Sequence, residues 1–469
     1  MAHPRAIVTQ FQRMTLLVLF TFMLCVTFIG RRSSNAVTAQ EISPDGQTIT
    51  FWHPYTDERQ TAFETLIDDF NDTNAWGITV EATSFRNSGL LYDQMILQLI
   101  NINYSGSNHD GLPNVVIGFP HEIALYALTD DTIVDLNQFK NDLLWGFSET
   151  EISDFVPSIM NIGYDPFRQA QLGFPTRLFS ELMIINMDAL HELGYDTPPS
   201  NLAELVETAC AFREAGGWSE SKFGTAQGFF LPLEAEFLIG MNAANGGTLF
   251  KESPAPYFAF NTPPLEETLT RLVELQARNC IQTVQSSVDA IDSFAAGQSL
   301  FYFGNSSILT LLRDNIAQNY AVPFEWGVFP LPGEDTQPIY VFGPIMSIVN
   351  QSPESNLAAW LFLKWFLDTE PQSAWVEATG SLAIRQSSTA SLVNHFATFP
   401  QWQQAQTLIN QSALTTLPAL AGYDVIRLEI QFALQRLLAT TNTIEAELPA
   451  LELLSNEILM EFAYSGLGD

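Results

Sequence analysis

From Gln47 onward the apolar pattern keeps changing period, and this alternation constrains the fold more than any other feature of the chain. Thr48–Trp52 reads as a short strand, and Asp57–Asn74 as a helix with Phe63, Leu66, Ile67 and Phe70 on one face. Ile78–Ala82 is again a strand, Gly89–Ile102 a helix, Asn114–Gly118 a strand and His121–Leu128 a helix. Ile133–Leu136 adds a short extended piece. Such alternation predicts a parallel or mixed sheet covered by helices. In sheets of this kind ligands bind at the carboxyl ends of the strands, so attention falls on the loops after Phe51, Ala82 and Gly118. Those loops carry Trp52-His53-Pro54-Tyr55, Phe85-Arg86 and Phe119-Pro120-His121. One aromatic there would be explained by a core; three on successive strand ends point to a stacking surface.

At 469 residues the chain exceeds a single ordinary core, which leads to two or three domains. A second body is expected beyond Gly173–Pro199, a stretch that runs from a Gly-Phe-Pro turn through the apolar Leu182–Asn186 to a Gly stop and a double proline. Ser200–Ala215 reads as a capped helix, Pro263–Asn279 and Ser287–Gly297 as helices, and Ser299–Phe303 as a buried strand. Residues 141–172 form a less regular link.

The charge restricts partners. The net charge is −33, and residues 1–39 hold four Arg and no acid, leaving 15 basic against 52 acidic groups in the rest. Such a chain repels nucleic acid and anionic membrane surfaces, and a strongly anionic ligand is disfavoured unless a local Arg overrides the field. Residues 1–39 themselves read as an export signal, with Arg5 and Arg13 ahead of an apolar run from Met14 to Ile29 and a cleavage site after Val37-Thr38-Ala39. Arg31 and Arg32 after the run leave an uncleaved N-terminal anchor open. Cys25 raises lipidation, against which stands the bulky Leu24 before it. Of the three Cys, Cys210 and Cys280 remain in the body, either bridged or as two buried thiols. No Cys/His cluster suggests a metal site, and no cofactor is expected.

Several stretches carry a family resemblance. Gly173–Pro199 resembles the inter-lobe crossing of the extracellular solute-binding proteins, family 1, of ABC importers, the relatives of maltose-binding protein. Ser84–Asn101 with Leu91-Tyr92-Asp93 is similar to the family's helix beneath the ligand rim. Gly304-Asn305-Ser306-Ser307 resembles its Ser-rich helix start. Ala358–Arg385 is similar to its paired helices and Thr-Gly-x-x-x-x-Arg turn, and Gly422–Arg427 to a further feature of its tail. The resemblance covers residues 47–460. It implies an α/β, two-lobed periplasmic-binding-protein fold with a ligand cleft between the lobes and three crossings, near 173–182, 299–305 and 344–350. The first lobe would comprise 41–175 and 302–345, the second 180–300 and 348–469.

The same resemblance implies a monomeric, exported component of an importer, extracellular or periplasmic. It would capture a small solute, most often a carbohydrate, by lobe closure and present it to membrane permease subunits. On this reading Trp52, Phe85, Phe119, Trp375 and one of Phe229, Phe230 or Phe237 stack on sugar faces. His53, Arg86, Arg177, Glu181, Ser306, Tyr340 and Tyr423 hydrogen-bond hydroxyls, with Gly343 at the turn into the third crossing. Arg177 and Glu181 would link closure to contact or form a hinge salt bridge. A polyol phosphate is the alternative ligand, with Arg86 or Arg177 as its clamp. A sensor that hands its closed form to a signalling partner would use the same binding chemistry.

Enzyme motifs are weak. His121-Glu122 begins like a zinc-protease helix, but Leu125 stands where the second His belongs. Ser219-Glu220-Ser221-Lys222 fits the SxxK pattern without its KTG partner. With 52 acids, a carboxylate pair for glycoside hydrolysis has no support from composition, so a degenerate hydrolase is kept only as a reading of another class.

Overall fold

The computed structural model describes residues 42–465 apart from 106–108, 110, 130, 222–224, 254, 285, 319–322 and 334–337. The expected export segment 1–39, with Cys25, lies outside the described residues. Two sheets organise the rest. In chain order, the first half supplies β1 (Thr48–His53), α1 (Asp57–Thr73), β2 (Thr79–Ser84), α2 (Ser88–Ser105), β3 (Val115–Gly118) and α3 (Pro120–Tyr126). Then follow β4 (Phe174–Pro175), β5 (Phe179–Asn186), α4 (Leu202–Glu214), β6 (Phe229–Pro232), α5 (Ala235–Ala244), α6 (Pro263–Ala277) and β7 (Ile281–Val284). The remainder gives β8 (Phe301–Asn305), β9 (Trp326–Phe329), β10 (Ile339–Phe342), β11 (Ile345–Ile348), α7 (Pro353–Phe366) and α8 (Thr369–Thr379). It closes with β12 (Leu414–Thr415), α9 (Tyr423–Leu438) and α10 (Ile444–Ser465).

The first sheet has the order β2-β1-β3-β11-β4, with β1 parallel to β2 and β3, and β11 antiparallel to β3 and β4. The second has β8-β5-β10-β12, with β9 also on β5. All eight residues of β5 are buried, its apolar Leu182–Ile185 together with the polar Ser180, Glu181 and Asn186, as a strand covered on both faces requires. Asn186 ends it by accepting the Ala189 N–H at 2.9 Å, which starts the following short helix. On α1 the expected face is the buried one: Phe63, Leu66, Ile67 and Phe70.

The lobe boundaries differ from the expected ones. Residues 302–345 are expected in the first lobe, but β8 pairs with β5 (Phe301 opposite Ile185), and β9 and β10 also pair with β5 in the second sheet. Residues 348–469 were placed wholly in the second, but α7 packs on β1 and β11, and α8 packs on α1. Phe362 and Phe366 of α7 contact Phe51 and Phe63 at ring-centroid distances of 5.7 and 5.6 Å. The chain changes sheet between β4 and β5 and again between β10 and β11. Segment 299–305, expected as a crossing, stays inside the second sheet; the chain returns there only at β12. Continuity along the sequence misassigned these pieces because a strand joins the sheet whose apolar face and edge accept it, and that partner lies far away in sequence.

The irregular link 141–172 is tied to α7. The Trp360 Nε1–H donates to the Trp145 carbonyl at 2.9 Å, and Lys364 Nζ donates to the Gly146 carbonyl at 2.6 Å. Arg385, the end of the Thr-Gly-x-x-x-x-Arg turn, is buried with its guanidinium over the Phe155 ring at 4.0 Å and paired with Asp154 at 3.2 Å. Cys210 and Cys280 form a disulfide that joins α4 to the start of β7. No described helix is long and apolar enough to cross a membrane.

Candidate functional site

A cavity of about 480 Å³ is lined from both sheets and their helices. From the first come Ser88 at the start of α2 and Phe119, Pro120, His121 and Glu122 just past β3. From the second come Phe179 and Glu181 on β5, Glu234 and Glu236 before and on α5, and Asn305 and Ser307 after β8. Tyr340 and Phe342 on β10, Thr416 to Pro418 after β12, and Tyr423, Asp424, Arg427 and Gln431 on α9 complete the wall. Its position at the carboxyl end of β3 agrees with the strand-end rule.

Aromatic rings form much of the wall. Tyr340 and Phe342 stack with centroids 5.5 Å apart, and Phe342 meets Phe179 edge-on at 5.7 Å. His121 stacks on Phe119 at 6.0 Å. Tyr423 lines the cavity, and its hydroxyl is buried with no hydrogen-bond partner among the described residues.

The polar side of the cavity is acidic. Glu181 is 1% exposed and neither carboxylate oxygen has a hydrogen-bond partner among the described residues. Burial, reinforced by the charges of Glu234 and Glu236, carries its carboxyl well above the usual range. Burial also raises Glu236, against the opposing pull of Arg427. Arg427, the one Arg or Lys on the described wall, reaches Glu236 at 3.6 Å and Asp424 at 3.4 Å. His121, 3.8 Å from Asp424, is nevertheless lowered to about 4 by burial and is neutral near pH 7.

Glu122 accepts the Phe119 N–H at 2.7 Å, closing the first turn of α3. Burial pushes its carboxyl up to about 7, the Phe119 bond and Arg427 opposing and Asp424 adding to the rise. The folded protein thus keeps a proton here that the unfolded chain releases near 4.5. The stability this group contributes is complete below that value and is lost as pH rises to about 7. Glu122→Gln keeps an acceptor but cannot ionise. Relative to wild type it should gain about 2 kcal/mol between about pH 5 and about pH 7.5 in urea unfolding. An equal difference at both pH values would show that Glu122 titrates as an ordinary surface acid.

Of the residues expected at the site, Phe119, Glu181, Tyr340 and Tyr423 line this cavity. Others stand apart. Trp52 and Phe85 pack against each other at 5.0 Å, half-buried, and Arg86 is exposed outside the lining. His53 is 1% exposed; its Nδ1 accepts the Tyr55 N–H at 3.2 Å, and burial lowers it to about 4. It closes a core turn rather than offering a donor to solute. Trp375 is completely buried against Tyr55, Phe63 and Phe366. Phe229 and Phe237 pack around Phe303 at 4.8 and 5.4 Å, and Phe230 is buried in the same core. These aromatics obey the same helix and strand periods as every other core residue, which is why sequence alone placed them at the site.

Ser306 is also buried, its hydroxyl already accepting the Ser180 N–H at 3.3 Å, while its neighbours Asn305 and Ser307 face the cavity. Arg177 and Glu181 do not pair: the Arg177 guanidinium lies over Phe179 at 4.9 Å and Tyr55 at 5.5 Å. Gly343 is structural, because a Cβ there would lie 2.3 Å from the Arg177 carbonyl oxygen. That close approach lets the two segments that change sheet run side by side.

Sequence reasoning missed Glu122, Glu234, Glu236, Asp424 and Arg427. Glu122 and the pair Asp424 and Arg427 sat inside motifs already singled out, but read for other chemistry. Glu234-Ala235-Glu236, two acids beside an apolar helix start, was the available signal for the rest.

Comparison with known proteins bears on the fold and the family. Residues 65–407 match the family model of the bacterial extracellular solute-binding proteins. No curated protein sequence is significantly similar to the chain. Among solved structures, the sugar-binding protein MalE of Xanthomonas citri superposes with a TM-score of 0.72 at 17% identity, over 90% of this chain and 100% of that one. The cyclic alpha-maltosyl-1,6-maltose binding protein of Arthrobacter globiformis gives 0.70 at 20% identity, over 88% and 99%. UgpB of Mycobacterium tuberculosis, solved with glycerophosphocholine, gives 0.68 at 18% identity, over 88% and 98%. These neighbours share the two-lobed α/β periplasmic-binding-protein fold. With its family model spanning most of its length, the chain belongs to the bacterial extracellular solute-binding proteins.

Proposed function

We propose that the protein captures a carbohydrate in the cleft between its two sheets and delivers it, by lobe closure, to the permease of an ABC importer. One observation carries this reading: a single cavity is lined by aromatic rings and hydrogen-bonding groups drawn from both sheets. A solute held there contacts both bodies at once and so shifts the balance toward the closed form. Rings such as Phe119, Tyr340 and Tyr423 suit the apolar faces of a sugar, and Asn305, Ser307 and the carboxyl groups suit its hydroxyls. The Arthrobacter neighbour is named for cyclic alpha-maltosyl-1,6-maltose and the Xanthomonas neighbour as a sugar-binding protein.

The protein would act as an exported monomer, released or tethered through residues 1–39, and would leave its solute chemically unchanged. A phosphate ester, as in the Mycobacterium neighbour, has less support: Arg86 and Arg177 lie outside the cavity lining, and Arg427 is committed to two carboxylates.

Thermal-shift titration of the purified protein with mono-, di- and oligosaccharides beside glycerol phosphates tests the reading. A ligand at a hundred times its dissociation constant adds about 2.7 kcal/mol of stability. A rise with one sugar class and recovery of that sugar intact is the expected result. A rise with phosphates alone, or hydrolysis of the sugar, would overturn it. With the ligand in hand, Phe119→Ala and Tyr340→Ala should each weaken binding about tenfold, as loss of about 1.4 kcal/mol of stacking requires. Trp52→Ala, outside the cavity, should change affinity less than about twofold; the reverse order in calorimetry would move the ligand to the β1 rim.

A further inference from the structure

The cavity holds more carboxyl groups than a neutral sugar needs. Five carboxyl groups line it (Glu122, Glu181, Glu234, Glu236 and Asp424) against Arg427 alone among Arg and Lys in the described wall. Arg427 already serves Glu236 and Asp424, Glu122 holds the Phe119 N–H, and Glu234 takes the Ser287 hydroxyl. Glu181 holds nothing: it is 1% exposed, lines the cavity, and both oxygens lack a partner among the described residues. A buried carboxyl without a hydrogen bond is expensive, and the cheapest relief is a partner that brings both donors and positive charge.

We propose that the ligand is an amine-bearing saccharide whose ammonium group sits against Glu181 and Glu234; this rests on the carbohydrate reading above. An ammonium offers three donors and a full charge to the two carboxyl groups. The rings of Tyr340, Phe342 and Phe179 beside Glu181 add faces that attract a cation. A hydroxyl at the same place would supply one donor and no charge. Burial holds the Glu181 carboxyl protonated in the empty cavity, and an arriving ammonium displaces that proton to solvent as it pairs with the carboxylate.

The test is calorimetric titration of the full-length protein with sugars matched except that 2-hydroxyls are replaced by amines. Suitable pairs are glucose and glucosamine, galactose and galactosamine, and cellotriose and fully deacetylated chitotriose. The amine should bind about tenfold tighter or more than its hydroxyl twin in at least one pair, and the gap should shrink as salt is raised. Glu181→Gln and Glu234→Gln, each checked for folding by thermal unfolding, should narrow the gap. The salt titration on the unaltered protein needs no variant and carries the test if a variant fails to fold. Equal or tighter binding of the hydroxyl twins would overturn the amine and leave the carbohydrate reading standing. Binding of choline or spermidine with every sugar silent would overturn the carbohydrate reading and keep the cation. Silence across all pairs and amines at millimolar concentration would overturn the proposal.

Discussion

Trp375→Ala lowers the unfolding free energy by about 3–5 kcal/mol and leaves solute affinity, per folded molecule, unchanged. The indole is completely buried where α8 meets α1, with Tyr55 at 4.8 Å, Phe63 at 5.4 Å and Phe366 at 6.0 Å. Truncation removes the largest ring of that cluster and leaves a void that the surrounding elements cannot collapse into without breaking other contacts. Trp375→Phe should cost less, because it keeps most of the volume and removes a buried indole N–H that has no partner among the described residues. Urea unfolding with both variants, beside a titration with the solute, checks the result. Normal stability with about tenfold weaker binding would place Trp375 at the ligand after all.

Loss of the Cys210–Cys280 bridge is the second large effect. The two residues are 70 apart in sequence and both are buried, so the bridge closes a long loop inside the second lobe. In the chain-entropy model, opening a loop of that length costs about 4 kcal/mol. The surroundings are close-packed: the Gly228 N–H donates to the Cys280 carbonyl at 2.7 Å, and a Cβ on Gly228 would lie 2.5 Å from that of Ala209. The double variant Cys210→Ala, Cys280→Ala should therefore unfold at much lower denaturant than wild type. Reductant should destabilise the wild type and have no effect on the variant. Identical unfolding of the two proteins without reductant would show that the thiols are free in solution.

Both expected results concern residues whose types were plain in the sequence and whose roles were not. Trp375 stands on the second of the paired helices before the Thr-Gly-x-x-x-x-Arg turn, where the resemblance places its ring at the solute. Only its neighbours decide the matter: Phe63 lies more than three hundred positions earlier, and no local period reveals that α8 covers α1. Cys210 and Cys280 left bridge and free thiols open for the same reason. Spacing gives the loop length, while the approach of α4 to β7 gives the bond.

Local pattern did determine a good deal. The alternation after Gln47, the apolar face of α1 and the apolar run Leu182–Ile185 in β5 give α/β layers, because side-chain period reports directly on which faces are buried. The short motifs from Gly173 to Arg427 identify the family, since their order is a property of the chain itself. What tertiary structure alone decided is pairing. Strand pairing joins β8, β9 and β10 to β5 and packs α7 and α8 on the first sheet, reversing the expected division. It also gathers Glu122, Glu181, Glu234, Glu236 and Asp424 into one cavity from positions three hundred residues apart. Each of those acids is, in sequence, one of 52 and indistinguishable from a solvated surface charge. Burial and mutual proximity, which exist only once the two sheets have formed and faced each other, are what make them a site.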